Sequence, residues 1–147
     1  SLGGAIAALR TLVPGGVSPQ FRTFLVHPED GSACKRWNML LRWMVRREAP
    51  DLGVWQQLDP ADLVIPVDTH VFRVARFLGL TTRPTPGWAA AREITASLAR
   101  FSPDDPVRYD FALAHLGISG RCKGHRDAEV CPECPLSAVC QAPPRGP

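Results

Sequence analysis

The chain has 147 residues, 45% of them hydrophobic and 21% charged, and a net charge of +3. That is enough apolar material for one buried core with or without a small appendage, and no apolar run approaches the roughly 20 residues of a membrane span. Five cysteines, with Cys34 alone and four near the C-terminus, lack the even spread of a secreted disulfide scaffold, so a reducing, cytoplasmic setting is expected.

Helical periodicity runs through the chain without sustained apolar/polar alternation, which predicts an all-α fold. The first residues read as a helix already under way. Ser18-Pro19 predicts an N-cap and first position for a short helix through Val26, stopped by Pro28 and Gly31. A longer helix is expected from Ser32 to Arg47, with Trp37, Leu40, Leu41, Met44 and Val45 as its buried stripe and Lys35, Asn38, Arg42 and Arg46 on the other face. Asp59-Pro60 opens another short helix, and Asp68 caps one running to Leu78 and stopped by Gly79. Trp88, Ile94, Leu98 and Phe101 mark a further helix. Asp105-Pro106 opens the last, carrying Val107, Phe111 and Ala114 inward. Trp37, Trp43, Trp55 and Trp88 are expected in the core.

After Gly117 the composition shifts to glycine, cysteine, proline and charge. Cys122, Cys131, Cys134 and Cys140 follow the spacing C-x8-C-x2-C-x5-C, in a segment too short and polar to build its own core. Structural zinc usually takes two short Cys-x2-4-Cys knuckles, whereas only one such pair is present here. The asymmetry favours a [4Fe-4S] cluster, with zinc, disulfides or free thiols as alternatives. Cys34 is surplus to a four-ligand site and reads as a small buried hydrophobe. Gly31 to Arg47 carries Lys35, Arg36, Arg42, Arg46 and Arg47 with no acid, a surface suited to phosphate.

The string Val67-Asp68-Thr69-His70-Val71-Phe72-Arg73-Val74, taken with the cysteine tail, closely resembles the helix-hairpin-helix base-excision DNA glycosylases of the endonuclease III type. The segment Cys34 to Val45 also resembles an uncharacterised bacterial subgroup of that superfamily, described as a domain of unknown function. The resemblance covers about Pro28 to Cys140. It implies a remnant of an N-terminal helical region at 1–30, a helix-hairpin-helix core at 31–118, an iron-sulfur loop at 119–141 and a frayed tail at 142–147. It further implies a monomeric, nucleoid-associated bacterial DNA glycosylase with AP lyase activity on double-stranded DNA holding a damaged base or abasic site. The alternative is a non-catalytic DNA-binding module with a structural metal cluster.

Residue by residue, the resemblance implies Lys35 as a Schiff-base nucleophile and Asp68 as the catalytic carboxylate. A lysine of ordinary pKa, about 10.4, is protonated at neutral pH. A helix N-terminus and neighbouring cations disfavour that charge on Lys35 and favour the carboxylate of Asp68. Gly31, Ser32, Arg36 and Arg42 are implied DNA contacts around the hairpin, and Lys123, His125 and Arg126 are implied phosphate contacts in the loop between the first two cysteines. His70 is expected to pack rather than act as a base. Two features depart from the family: its Leu-Pro-Gly-Val-Gly hairpin is replaced here by His27-Pro28-Glu29-Asp30-Gly31-Ser32-Ala33, and Arg47 to Leu63 reads as an insertion with one or two helical turns around Trp55.

Overall fold

The computed structural model describes residues 1–146 and is all-α. Its helices are Leu2–Thr11 (α1), Pro19–Arg22 (α2), Lys35–Val45 (α3), Thr69–Phe77 (α4), Trp88–Ala99 (α5) and Asp110–Ile118 (α6), joined by loops and short 3₁₀ turns. Among the described residues there is no strand, only an isolated bridge between Arg126 and Pro144. No helix among the described residues is long and apolar enough to cross a membrane.

Local chemistry sets most boundaries. Ser18 Oγ accepts from the Phe21 N–H to start α2, and Asp68 accepts from the His70 and Val71 N–H groups to start α4. The turn Pro28–Asp30 is closed reciprocally: the His27 ring accepts from Glu29 N, and Asp30 Oδ2 accepts from His27 N. The Asp30 carboxylate also takes Arg10 of α1 at 2.6 Å, so this acid holds the N-terminal helix to the turn. Gly31 then adopts φ +77°, a left-handed conformation that favours glycine.

The core gathers Ile65, Val71, Val74, Ala75, Ile94 and Val107, all essentially inaccessible. Helices α4 and α6 pack closely. A Cβ on Gly117 would lie 2.7 Å from the His70 Cβ, so only glycine allows this approach. The last expected helix is split into a 3₁₀ turn, Pro106–Tyr109, and α6, and Asp105 faces Arg46 instead of capping it.

Helix α3 keeps only part of the predicted stripe: Val45 is in the core and Leu41 packs against it. Of the five apolar residues only Val45 is fully buried, and Trp43 is exposed. The face turned inward is Asn38 (1% exposed) and Arg42 (5%), continued by the C-cap Arg46 (4%). Acids outside the helix make this possible: Asp51 on the loop that follows it, Asp105 ahead of the Pro106–Tyr109 turn and Asp110 at the start of α6. Arg42 donates to Asp110 and, at 3.2 Å, to Asp51, while Arg46 donates to Asp51 and grips Asp105 at 2.8 to 3.0 Å. Phe111, expected inward, is 61% exposed, because α6 turns Leu113 and Gly117 to α4, and Phe101, expected within α5, follows its end and is 71% exposed. Trp55 is exposed too, and no helical turn forms around it. Instead the N–H groups of Leu52, Gly53 and Trp55 satisfy the final carbonyls of α3, those of Trp43 and Met44.

Candidate functional site

Lys35 and Asp68, 33 residues apart, meet. Lys35 begins α3, and its Nζ donates to Asp68 Oδ2 at 2.9 Å, with the lysine side chain 41% exposed and the aspartate 20%. The other oxygen of Asp68 is committed to the α4 N-terminus, at 2.9 Å from His70 N and 2.8 Å from Val71 N. Burial pushes this carboxyl up, but the Val71 N–H, the Lys35 ammonium and the His70 N–H together hold it below the ordinary aspartate range. One carboxylate thus caps a helix with one oxygen and faces the lysine with the other.

Around Lys35 lies a groove of about 380 Å³ lined by Phe24, Val26, Ser32, Cys34, Arg36 and Trp37. Cys34, which precedes α3 at φ +50°, is buried, and that burial pushes its thiol up to about 11, consistent with an inert packing residue. Ser32 Oγ accepts from Cys34 N at 3.1 Å and shapes the turn into α3. Arg36 is exposed, donates to Thr23 O at 3.1 Å and lies 5.4 Å from the Phe24 ring centroid. Gly31 is exposed and sets its carbonyl against the start of α5, where a Cβ on Gly87 would be 2.8 Å from it. Gly31, Ser32 and Arg36 therefore stand near Lys35 at the surface. Arg42 does not: it is buried between Asp51 and Asp110, so its guanidinium serves the interior and not a phosphate.

The four tail cysteines share one cavity wall without closing into a ligand cluster. Cys122, Cys131, Cys134 and Cys140 line one cavity of about 280 Å³, floored by Val74, Phe77 and Leu116 of the core. The Asp127 N–H points at Cys131 Sγ at 3.2 Å. A four-thiol donor set with an amide directed at one sulfur fits an iron-sulfur centre. Among the described residues no three His, Cys, Asp or Glu side chains are grouped as ligands of a metal ion.

Two of the basic residues expected to meet phosphate, both at the surface, are held by the tail's own groups. Lys123 pairs with Asp127 at 2.9 Å, and this contact, with the Glu129 and Val130 N–H groups, brings the Asp127 carboxyl down to about 2. Arg126 donates to Ser137 O and to Cys140 O, the latter at 2.7 Å, while His125 lines the cysteine cavity. Two bonds dock the tail on α4: Arg73 Nη2 to Cys122 O at 2.9 Å, and Gln141 N to Phe77 O at 2.7 Å. The end expected to fray is tied back as far as it is described, with Ala142 buried and Pro143 O accepting from Arg126 N. Pro147 lies outside the described residues.

Sequence reasoning missed Arg10, Asp51, Arg73, Asp105 and Asp110. Arg10, Arg73, Asp105 and Asp110 work through partners remote in the chain, whereas Asp51 pairs with Arg42 and Arg46 nine and five residues before it. No curated protein and no solved structure matches the chain. A family model matches residues 5–119, most of its length, and the chain accordingly belongs to the DUF2400 family, described as proteins of unknown function.

Proposed function

We propose that Lys35 and Asp68 are the reaction centre of a DNA glycosylase with AP lyase activity, in a helix-hairpin-helix core whose tail holds a [4Fe-4S] cluster on Cys122, Cys131, Cys134 and Cys140. The observation that supports this most is the meeting of a half-exposed lysine with a depressed carboxylate at a helix mouth, beside a groove with aromatic walls. The substrate class is double-stranded DNA with a damaged base or an abasic site.

Asp68 is ionised at neutral pH, so its Oδ2 accepts the proton that the Lys35 ammonium loses before it attacks. The freed amine bonds to C1′ of the deoxyribose. The bond from C1′ to the base nitrogen breaks, and the base leaves with that electron pair and takes the proton held by Asp68. Ring opening moves one Nζ proton to O4′ and leaves an iminium between Lys35 and C1′. The Asp68 carboxylate, free again once the base has taken its proton, accepts a C2′ proton. The C2′–H pair forms the C1′–C2′ enamine, and then the C2′–C3′ double bond as the C3′–O bond breaks and the 3′ phosphate leaves, which nicks the strand. A bound [4Fe-4S] group supplies a rigid hub for the tail. The exposed Arg36 and the Gly31–Ser32 turn flank the lysine on the side where a phosphate backbone would run.

Borohydride reduces the iminium, so incubation with abasic duplex is expected to give a covalent adduct that Lys35→Ala abolishes. DNA binding without any adduct overturns the enzyme reading in favour of a non-catalytic DNA-binding module. Purified protein lacking absorbance at about 400 nm removes the cluster.

A further inference from the structure

Helix α3 begins with Lys35 and turns inward a polar face made of Asn38, Arg42 and Arg46, residues four apart that lie nearly one above another. Asn38 Nδ2 holds Ala33 O at 3.0 Å, which fixes the chain just ahead of Lys35. Arg42 is bound to Asp110, the first residue of α6, and to Asp51, and Arg46 to Asp51 and Asp105. Such a ladder fixes the rotation of α3 about its own axis. An apolar stripe tolerates small slips and repacking, but a buried charge that leaves its partner is stranded. Lys35 lies seven residues, two helical turns, from Arg42 on this face. The rotation that sets Arg42 on Asp110 is therefore the one that brings Lys35 to Asp68.

Asp110 also feels the charges of the site. Burial pushes its carboxyl above the usual aspartate range against the pull of Arg42, the Asp68 carboxylate pushes it further up, and Lys35 pulls it down.

We propose that Asp110 is a positioning residue for the Lys35–Asp68 pair, acting through Arg42 on the rotation of α3, whereas Asp105 at the far end of the same ladder serves stability alone. The proposal concerns the geometry of the pair; only its kinetic consequence rests on reading Lys35 as a nucleophile.

The chain has two lysines, Lys35 and Lys123, so reductive ¹³C-methylation gives two side-chain NMR signals, with Lys123 as internal reference and Lys35→Ala as assignment. In the full chain, Asp68→Asn and Asp110→Asn are expected to move the Lys35 signal, and Asp105→Asn to leave it in place. At saturating abasic DNA, Asp110→Asn is expected to slow borohydride trapping on the order of tenfold to a hundredfold at unchanged DNA affinity. Asp110→Glu should recover part of that rate. Asp105→Asn should trap at the wild-type rate below its melting temperature. A Lys35 signal indifferent to Asp110, or displaced equally by Asp105→Asn, overturns the proposal. A signal that responds as expected in a protein that never traps DNA upholds the positioning and overturns the nucleophile.

Discussion

The helical core and the cysteine tail fix their irregular backbone by opposite means. In the core, loops are held to helices by burial: Ile65, Val107 and Ala75 are sealed, and the acids on the loops around Asp51 and Asp105 are drawn against arginines of α3. Among the described residues from 119 on, only Ala142 is buried. The tail relies on single hydrogen bonds, from Arg73, Arg126 and Gln141 to backbone carbonyls or from backbone to backbone, around a cavity walled by thiols. The difference teaches where each region is fragile. Removing one partner in the core leaves a stranded charge, while the tail has almost no buried core of its own and, with the proposed cluster, would depend on its cysteine ligands.

The largest effect is expected in the tail. Cys131→Ser removes one proposed ligand and the sulfur that accepts from Asp127. It should abolish the absorbance at about 400 nm and open the tail to protease, with the helical circular dichroism retained. Loss of the core together with the tail would erase the contrast. Next comes Arg42→Ala, which leaves Asp110 buried without its cation and Asp51 with one arginine fewer. A loss of about 3–5 kcal/mol is expected in urea unfolding, and a loss under about 1 kcal/mol would show that the ladder does not hold the core.

Gly117→Ala should act more weakly. The added methyl must push α6 from His70, at a cost of about 1–3 kcal/mol, offset by up to about 1 kcal/mol of better helix propensity. A small net loss in thermal unfolding is expected, and a gain would contradict the close helix contact. The smallest effect belongs to Asp68→Asn at neutral pH, since asparagine caps a helix about as well as aspartate. Its signature is in acid. The folded carboxyl titrates below its unfolded value of about 3.9, so its contribution is present above that pH and lost as pH falls through the lower folded value. The variant should show a flatter stability profile below about pH 4, and an unchanged slope there would mean that Asp68 is not held ionised.

Much of the fold was legible because its signals are local. Asp68, Ser18 and Pro19 mark helix starts by their own chemistry, and the structure begins helices beside them. Lys35 and Asp68 were both singled out, yet their contact spans an irregular loop that no periodicity describes. The face of α3 was misread for a definite reason. Hydrophobic periodicity assumes that charge faces water, an assumption that fails when folding brings acids against it: Asp51 comes from the loop after α3, and Asp105 and Asp110 flank the Pro106–Tyr109 turn. The same assumption offered Arg42 to DNA.

Neighbouring residues alone dictate the all-α character, the caps, the left-handed turn at Gly31 and the gathering of four cysteines at one end. Tertiary contacts set which face of α3 is buried, bring Lys35 onto Asp68, and leave Lys123 and Arg126 held by the tail's own groups. The physical reason is range. Caps and turns depend on hydrogen bonds a few residues long, while the side of a helix on which a charge can be buried depends on partners that only folding brings within reach.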